Sequence, residues 1–536
     1  MKNLKNIPAE GFAGLKQNWK SDLSSGFMVF LLALPLSLGI AKASGFPPAM
    51  GVLTAIIGGL FTSFFKVSAL TIKGPAAGLI TVCSAAVLEF SQPEFGGPET
   101  ALYVVGTIIV VMSLFQILFG FLKLGSLSDF FPHSAVHGML AAIGIIIIAK
   151  QVPVLLGDDP SMYKGETPLE LLMDIPKFIS HAHWHIAIVG LIAIVLMFAL
   201  PKLKVNFLKK IPAPMIVLLL TIPLAFYWHF KSTEGEYSLV TIGDFWGSIA
   251  FHTNFAFIAT FAFWKYVFMF LFVSSLESLL TVKATDNLDP YKRTSDYNGD
   301  LKAQGVGNLL SGFFGGIPMI SEVVRSSSNV NFEAKTKWSN FFHGVFLLLA
   351  MLLLIPVIEM IPNAALAAML IYAGFRLAAP KEFVHVYKIG KEQLAIFVTT
   401  IAVTLLEDLL LGIAAGIVVK ILFHLYHGAS FTNLFKAKYK KTTHENRISI
   451  RIKGVAVFSN LIGFKKMLEN LEKEKHVEIN LSESKLVDHS FMAFVEHYKN
   501  EAIARGNDFK IVGLDKHKSF SKHPLSTKKL KKCSFK

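Results

Sequence analysis

The sequence predicts an α-helical polytopic membrane protein of about 14 transmembrane segments, followed by a small cytoplasmic α/β domain. Three observations predict it. Hydrophobic residues make up 53% of the chain against 17% charged, and the mean hydropathy of +0.53 is not that of a soluble domain. The apolar residues gather into runs of roughly 20, the length that crosses a bilayer. Examples are residues 24–41 (SSGFMVFLLALPLSLGIA), 136–156 and 184–200. After Lys441 the pattern changes to short alternating polar and apolar stretches, as in half-buried strands, separated by helix-like ones.

The first segment, 24–42, follows a polar arm and lacks a small-residue cleavage site before a soluble domain, so it reads as a retained span. Others follow at 47–65, 73–90, 101–122, 133–155, 184–200 and 211–229. A polar stretch, 230–258, separates this half from 263–283, 303–314, 319–332, 337–359, 364–379, 391–406 and 408–427. Some of these are too short or too broken to span as full helices. Residues 1–435 are therefore expected to form the transmembrane domain and 445–536 a cytoplasmic domain with a basic tail. Within the latter, 447–458, 476–481 and 509–514 read as strands, and 460–474 and 490–504 as helices.

Charge gives the orientation. From Lys436 to the end there are 23 Lys/Arg against 11 Asp/Glu, whereas the preceding residues carry 29 against 26. Lys436, Lys438, Lys440 and Lys441 directly follow the last apolar run, and Lys2, Lys5, Lys16 and Lys20 precede the first. The excess of cations predicts both termini in the cytoplasm and a multi-pass protein of the cell inner (plasma) membrane. The KKLKK stretch at 528–532 is read as facing a membrane surface and not nucleic acid. Cys83 lies in an apolar run and Cys533 in the tail, so no disulfide framework or zinc spacing exists. No phosphate loop, nucleophile elbow or metal-ligand cluster is present, which leaves no support for an ATPase or hydrolase; the protein is predicted not to be an enzyme.

The third segment of each half is interrupted. TIKGPAAGLITV (71–82) and GGIPMISEVV (315–324) each place a proline just before a short helical stretch. Such breaks in corresponding positions of two halves point to a transport site on an inverted repeat. Two helix N-termini facing each other at membrane depth would favour an anion through free N–H groups and their dipoles. The expected substrate-binding donors are Ala76, Ala77 and Gly78 on one side and Ile320, Ser321 and Glu322 on the other, with a hydroxyl from Ser321. Glu322 either caps its half-helix or sets an electrostatic condition for anion entry, and Arg325 is its partner or the substrate's counter-charge.

In LFVSSLESLLTVKATDN (271–287), Ser274, Glu277 and Thr281 share one helix face. An intramembrane carboxylate is protonated, paired or holding a cation. A Na⁺ or H⁺ coupling site at Glu277, with Thr281 and Ser274 beside it, is the functional reading, and an ion pair to a Lys or Arg is the structural one. Lys73, Lys283 and Arg376 are read as snorkelling from helix ends. His133, His137 and His343 are read as interfacial or packing residues.

With these motifs in place the chain resembles the SulP (sulfate permease) family of anion transporters. DLSSGFMVFLLALPLSLGIAKASGFPPAMGVLTAIIGG (22–59) is similar to that family's first two spans, IKGPAAG (72–78) to its third and SSLESLLT (274–281) to its eighth. NLLSGFFGGIPMISEVVRSSSNV (308–330) is similar to its ninth-to-tenth junction, and INLSESKLVDHS (479–490) to part of a STAS domain. The resemblance implies a seven-plus-seven inverted repeat with gate and core domains, an elevator-like movement and a homodimer. It also implies a small inorganic anion (sulfate or bicarbonate) as substrate, with Na⁺ or H⁺ coupling at Glu277 and Thr281 and no other cofactor. The chain departs from the family in carrying Ala76 where many members have a hydroxyl, and Met319-Ile320-Ser321-Glu322 where small residues are usual. Asp488-His489-Ser490 differs from the phosphorylatable motif of STAS regulators. The alternatives are a nucleobase/H⁺ symporter of the same fold, using Glu277 with Glu322, an uncoupled anion channel or exchanger, and a membrane-anchored signalling protein.

Overall fold

The computed structural model describes residues 7–125, 131–158, 163, 166–203, 211–233, 238–251, 253–291, 293–407, 409–444, 447–469, 476–504 and 507–531. It divides into two compact units, Met1–Gly125 with Ile143–Leu377, and Ser126–Ala142 with Ala378–Lys536. Cys533 and the last residue of the KKLKK stretch lie outside the described residues.

The first unit is helical apart from one pair of short strands. Helix α1 (Gly11–Ala43) begins well before the apolar run at 24, because its polar first half is tied down. Asp22 is fully buried and accepts from the amides of Lys335 (2.8 Å) and Thr336 (3.0 Å) and from the Thr336 hydroxyl. Helix α2 (Pro48–Leu60) starts with proline in its first turn, where the missing N–H has no consequence. Strand β1 (Lys73–Pro75) and helix α3 (Ile80–Phe90) replace the third apolar segment. Helices α4 (Pro98–Phe121), α5 (His133–Leu156), α6 (Trp184–Ala199) and α7 (Ala213–Tyr227) complete the first half.

The second half opens with α8 (Phe261–Leu288) and α9 (Tyr297–Phe313), the latter capped by Asp296 accepting from Gly299 N–H at 3.0 Å. Strand β2 (Met319–Ser321) and helix α10 (Val323–Asn331) repeat the strand-then-helix arrangement. Helices α11 (Trp338–Leu353) and α12 (Asn363–Leu377) follow. Among the described residues seven helices are long and apolar enough to cross a membrane, and four more are apolar but shorter. α1 packs along α11 and α2, and α4 along α9. Gly59 of α2 meets Gly344 of α11 so closely that a Cβ on either would overlap the other's backbone, the small-residue contact by which membrane helices approach.

The second unit contains α13 (Lys391–Leu406), α14 (Leu409–Tyr426) and a C-terminal sheet. The sheet runs β3 (Lys438–His444), β4 (Arg447–Ala456), β5 (His476–Val487), β8 (Lys528–Leu530), β7 (His517–Ser519), with β6 (Phe509–Val512) also paired to β5. β4, β5 and β6 are parallel neighbours, and helices α15 (Leu461–Glu469) and α16 (His489–Ala504) supply the connections. The alternation seen at 447–458 is real: Ile448, Ile450 and Ile452 join Phe464, Ile479 and Phe491 in one core. This sheet and its helices fit a STAS domain, while β3, β7 and β8 go beyond the strands expected from sequence.

The module is tied to α14 by a buried charge. Lys420 Nζ lies 3.0 Å from Asp488 Oδ2 and 2.9 Å from Ser490 Oγ, with all three side chains buried. Burial alone would raise the Asp488 carboxyl, but the Lys420 ammonium, His424 and the Phe491 N–H outweigh it and hold it well below the usual carboxylate range. Removing one member of such a pair leaves the other charge buried, at about 3–5 kcal/mol. Asp488→Ala is therefore expected to lower the thermal melting temperature in detergent, and Lys420→Met combined with Asp488→Leu to recover most of the loss. An unshifted melt in Asp488→Ala would show that the pair holds nothing.

The neighbouring His489 is buried and its Nδ1–H bonds the Leu525 carbonyl at 2.8 Å; burial pushes its pKa down to about 4. A folded-state pKa below the unfolded value of about 6.5 means that the unfolded chain takes up the proton first. Stability from this group is thus complete above pH 6.5 and is lost as pH falls towards 4. Acidification from pH 7 to 5 should destabilise the module by about 2 kcal/mol, an effect absent in His489→Asn by pH-dependent melting.

Candidate functional site

β1 and β2 form an antiparallel pair with Lys73 opposite Ser321, Gly74 opposite Ile320 and Pro75 opposite Met319. The chain is extended here because proline ends the strand on one side and precedes it on the other, leaving each short helix to start at membrane depth. The unpaired edges of a two-stranded ribbon would be costly in an apolar interior, and side chains satisfy them. Met319 N–H donates to Asn308 Oδ1 (2.7 Å), the Met319 carbonyl accepts from Gln304 and Asn308, and Lys73 N–H donates to Asn340 Oδ1 (3.0 Å).

Lys73 does not snorkel. It is 1% exposed, and its ammonium donates to Asp300 Oδ2 at 2.6 Å and to the Ser321 hydroxyl. The correction has a simple cause: Lys73 stands on the strand itself, and Asp300 on α9 supplies its charge partner. Of the interfacial and packing places read for His343, burial leaves the packing one. It is fully buried in α11, neither ring nitrogen has a hydrogen-bond partner, and it lies within electrostatic range of Arg325. Arg376 is exposed in the last turn of α12, as a snorkelling residue would be.

Ala76 is buried at the N-cap of a 3₁₀ turn, Ala77–Leu79, that leads into α3. The amides of Ala77 and Gly78 have no acceptor among the described residues. On the other side the expected donors are already engaged. Ser321 N–H donates to Ser278 Oγ at 3.1 Å, Glu322 N–H donates to the Ile72 carbonyl at 3.0 Å, and Ile320 sits inside the strand pair. The strand continues two residues further than a helix beginning at Ile320 would allow, so the ribbon and α8 take up these amides. Glu322 caps α10, its Oε2 accepting from Arg325 N–H at 2.7 Å.

Two unpaired charges remain. The Arg325 guanidinium is fully buried, and none of its nitrogens has a hydrogen-bond partner. It lies against Gly74, where a Cβ would overlap Nη1. The Glu277 carboxylate on α8 lies against Gly78, where a Cβ would overlap it, and it has no ion-pair or hydrogen-bond partner among the described residues. Thr281, one turn on, is buried, whereas Ser274 turns away to Gln116, whose Nε2 donates to it at 3.4 Å. Glu322 is close enough to interact electrostatically with both Glu277 and Arg325. The structure thus gathers Gly74, Ala77, Gly78, Glu277, Glu322 and Arg325. Lys73 and His343, read from the sequence in other roles, join them, as does Asp300, which the sequence did not single out.

A polytopic helical protein with paired strand-to-helix breaks and opposite charges buried beside them is a membrane transporter, not an enzyme. The Sulfate permease family matches residues 19–400, and the chain belongs to it. YvdB of Bacillus subtilis, named as a sulfate transporter, is 25% identical over 514 residues, which cover 93% of this chain and 92% of that one. The bicarbonate transporter BicA of Picosynechococcus sp. is 25% identical over 75% of this chain and 69% of its own length. Among solved structures, the transmembrane domain of a cyanobacterial BicA superposes with a TM-score of 0.63 at 22% identity, covering 75% of this chain and 98% of that one. The murine anion transporter Slc26a9, in its inward-facing state, does so with a TM-score of 0.66 at 15% identity, over 92% and 85% of the two chains. These likenesses establish the same fold, through the C-terminal module in the second case.

Gly78 makes a sharp test. Gly78→Ala places a methyl in the space of the Glu277 carboxylate, and a displacement costing 1.4 kcal/mol or more lowers transport roughly tenfold. Uptake should therefore collapse while the gel-filtration profile stays that of the wild type. Undiminished uptake would show that the carboxylate works elsewhere.

Proposed function

We propose that this protein is a secondary active transporter of a small inorganic anion, bicarbonate or sulfate, moving it with Na⁺ or H⁺ by an elevator-type displacement. The observation that carries the reading is the Arg325 guanidinium, buried against Gly74 without a hydrogen-bond partner, with the free amides of Ala77 and Gly78 following a few residues on along the chain. A guanidinium removed from water needs an anionic partner, and Glu322 is occupied in capping α10. An oxyanion offers the missing acceptors to the guanidinium and to the helix N-terminus together. The relatives named for sulfate and bicarbonate transport support the substrate class.

Coupling is assigned to Glu277. Of its three possible conditions, pairing with a cationic side chain finds no partner among the described residues. A proton or a Na⁺ held with Thr281 is then the remaining means of burying it. Residence in the inner membrane with cytoplasmic termini follows from the distribution of lysines, and a homodimer is expected from the family resemblance.

The test is uptake of labelled bicarbonate, sulfate, fumarate and uracil into proteoliposomes under an inward Na⁺ gradient, an inward H⁺ gradient or neither. Anion uptake driven by one gradient is expected. Arg325→Gln should weaken apparent anion affinity about 10- to 100-fold, the loss of charge-assisted hydrogen bonds worth about 1.5–3 kcal/mol. Glu277→Gln should abolish the stimulation by the gradient. Uracil uptake would instead support a paired-glutamate symporter, and gradient-independent anion flux would make Glu277 structural.

A further inference from the structure

A cavity of about 530 Å³ lies in the first unit, between the C-terminal end of α1, the outer face of α3 and α5. Its polar lining includes Lys42, Ser84, Ser91, Lys150, Gln151 and Glu166. Lys150 stands on α5 and donates to the Ser84 hydroxyl at 2.6 Å, which in turn donates to the Thr81 carbonyl at 3.2 Å. Ser84 is the only hydrogen-bond partner of this ammonium among the described residues, and no carboxylate there lies within ion-pair distance of it. Glu166, the one acidic residue of the lining among the described residues, forms no ion pair with Lys150, and its Oε2 is buried without a hydrogen-bond partner.

The cavity adjoins the charges already described through one helix. Thr81 and Ser84 of α3 and Ser91 at its C-cap are spaced by three and seven residues, one face of the helix. Ser84 lies six residues beyond Gly78, roughly 10 Å along the axis. The Thr81 hydroxyl between them is buried without a hydrogen-bond partner.

We infer that this cavity is a second anion station, in which Lys150 and Ser84 bind a small oxyanion that still carries part of its water before it reaches Arg325. The inference rests on the anion-transport reading. An ammonium with two donors to spare and no fixed counter-charge is a weak, exchangeable ligand for an anion, as a way-station requires. A cavity of this size holds an anion together with several waters of about 30 Å³ each, so dehydration is spread over two steps. With the N-terminus cytoplasmic, the C-terminal end of α1 puts the station on the outer side.

The test uses the full chain in whole cells, with initial rates of labelled sulfate and bicarbonate uptake measured over a range of external concentrations. Lys150→Gln is expected to raise the apparent KM about tenfold, equivalent to 1.4 kcal/mol, with a smaller effect on the maximal rate, and Lys150→Arg to keep most of the affinity. In Lys150→Cys, a membrane-impermeant cationic thiol reagent added outside should restore affinity, and external sulfate should slow its reaction. Cys83 is buried and does not compete for the reagent. A KM unchanged in both Lys150→Gln and Lys150→Cys, or labelling of the introduced thiol that sulfate does not slow, would overturn the station while leaving the transport reading intact. Wild-type cells that take up neither anion would overturn the transport reading, and the station with it.

Discussion

Lys73 occupies the crossing of β1 and β2 with no access to water, and its ammonium stays there because Asp300 of α9 and Ser321 of β2 accept from it. Strand β1 is thereby locked to α9 and β2, whose partner residues lie 227 and 248 residues away in sequence. An uncompensated ammonium at this depth would cost several kcal/mol, so α9 and both strands are held in one arrangement. Once they are held, Gly74 lies beneath the Arg325 guanidinium and Gly78 beneath the Glu277 carboxylate. The positions of both unpaired charges follow from the ribbon, and the ribbon follows from the lysine.

The electrostatics of this centre divide by role. Glu322 is spent at the N-terminus of α10, where the helix dipole and the Arg325 N–H offset its charge. That leaves one guanidinium against Gly74 and one carboxylate against Gly78, not satisfying each other. Under the proposed function such an arrangement links the two ligands. An anion on Arg325 leaves the charge of Glu277 uncompensated, and a cation on Glu277 does the same for Arg325, so joint occupancy is the least costly loaded state. No direct contact between anion and cation is needed, since the low-dielectric surroundings carry the interaction.

Much of this was legible in the residues. The breaks at Gly-Pro and Ile-Pro, the hydroxyl-flanked Glu277 and the change of character after Lys441 all follow from local chemistry. What sequence could not supply was the partner of each polar group. Lys73 looks like a helix-end lysine until Asp300, 227 residues away, is brought beside it. Ser321 and Glu322 look like free helix N-terminal donors until Ser278 and Ile72 arrive to accept from them. α1 starts earlier than its apolar run because Asp22 finds three donors near residue 335. Strands β7 and β8 have only three residues each, too short for any alternation to show.

The same logic bears on the C-terminal module, where Asp488-His489-Ser490 stands in the place of a regulatory phosphorylation motif. Ser490 is 1% exposed and its hydroxyl accepts from Lys420, while Asp488 caps α16 by accepting from Phe491 N–H at 2.8 Å and also takes the Phe458 N–H at 3.0 Å. A kinase reaching that hydroxyl would first have to part Lys420 from both acceptors, exposing an ammonium and a carboxylate that are buried only as a pair. A phosphate, once added, would bring nearly two further negative charges beside Asp488, against the single cation that now balances it. In this chain the motif has become a mechanical joint between the last membrane helix and the sheet.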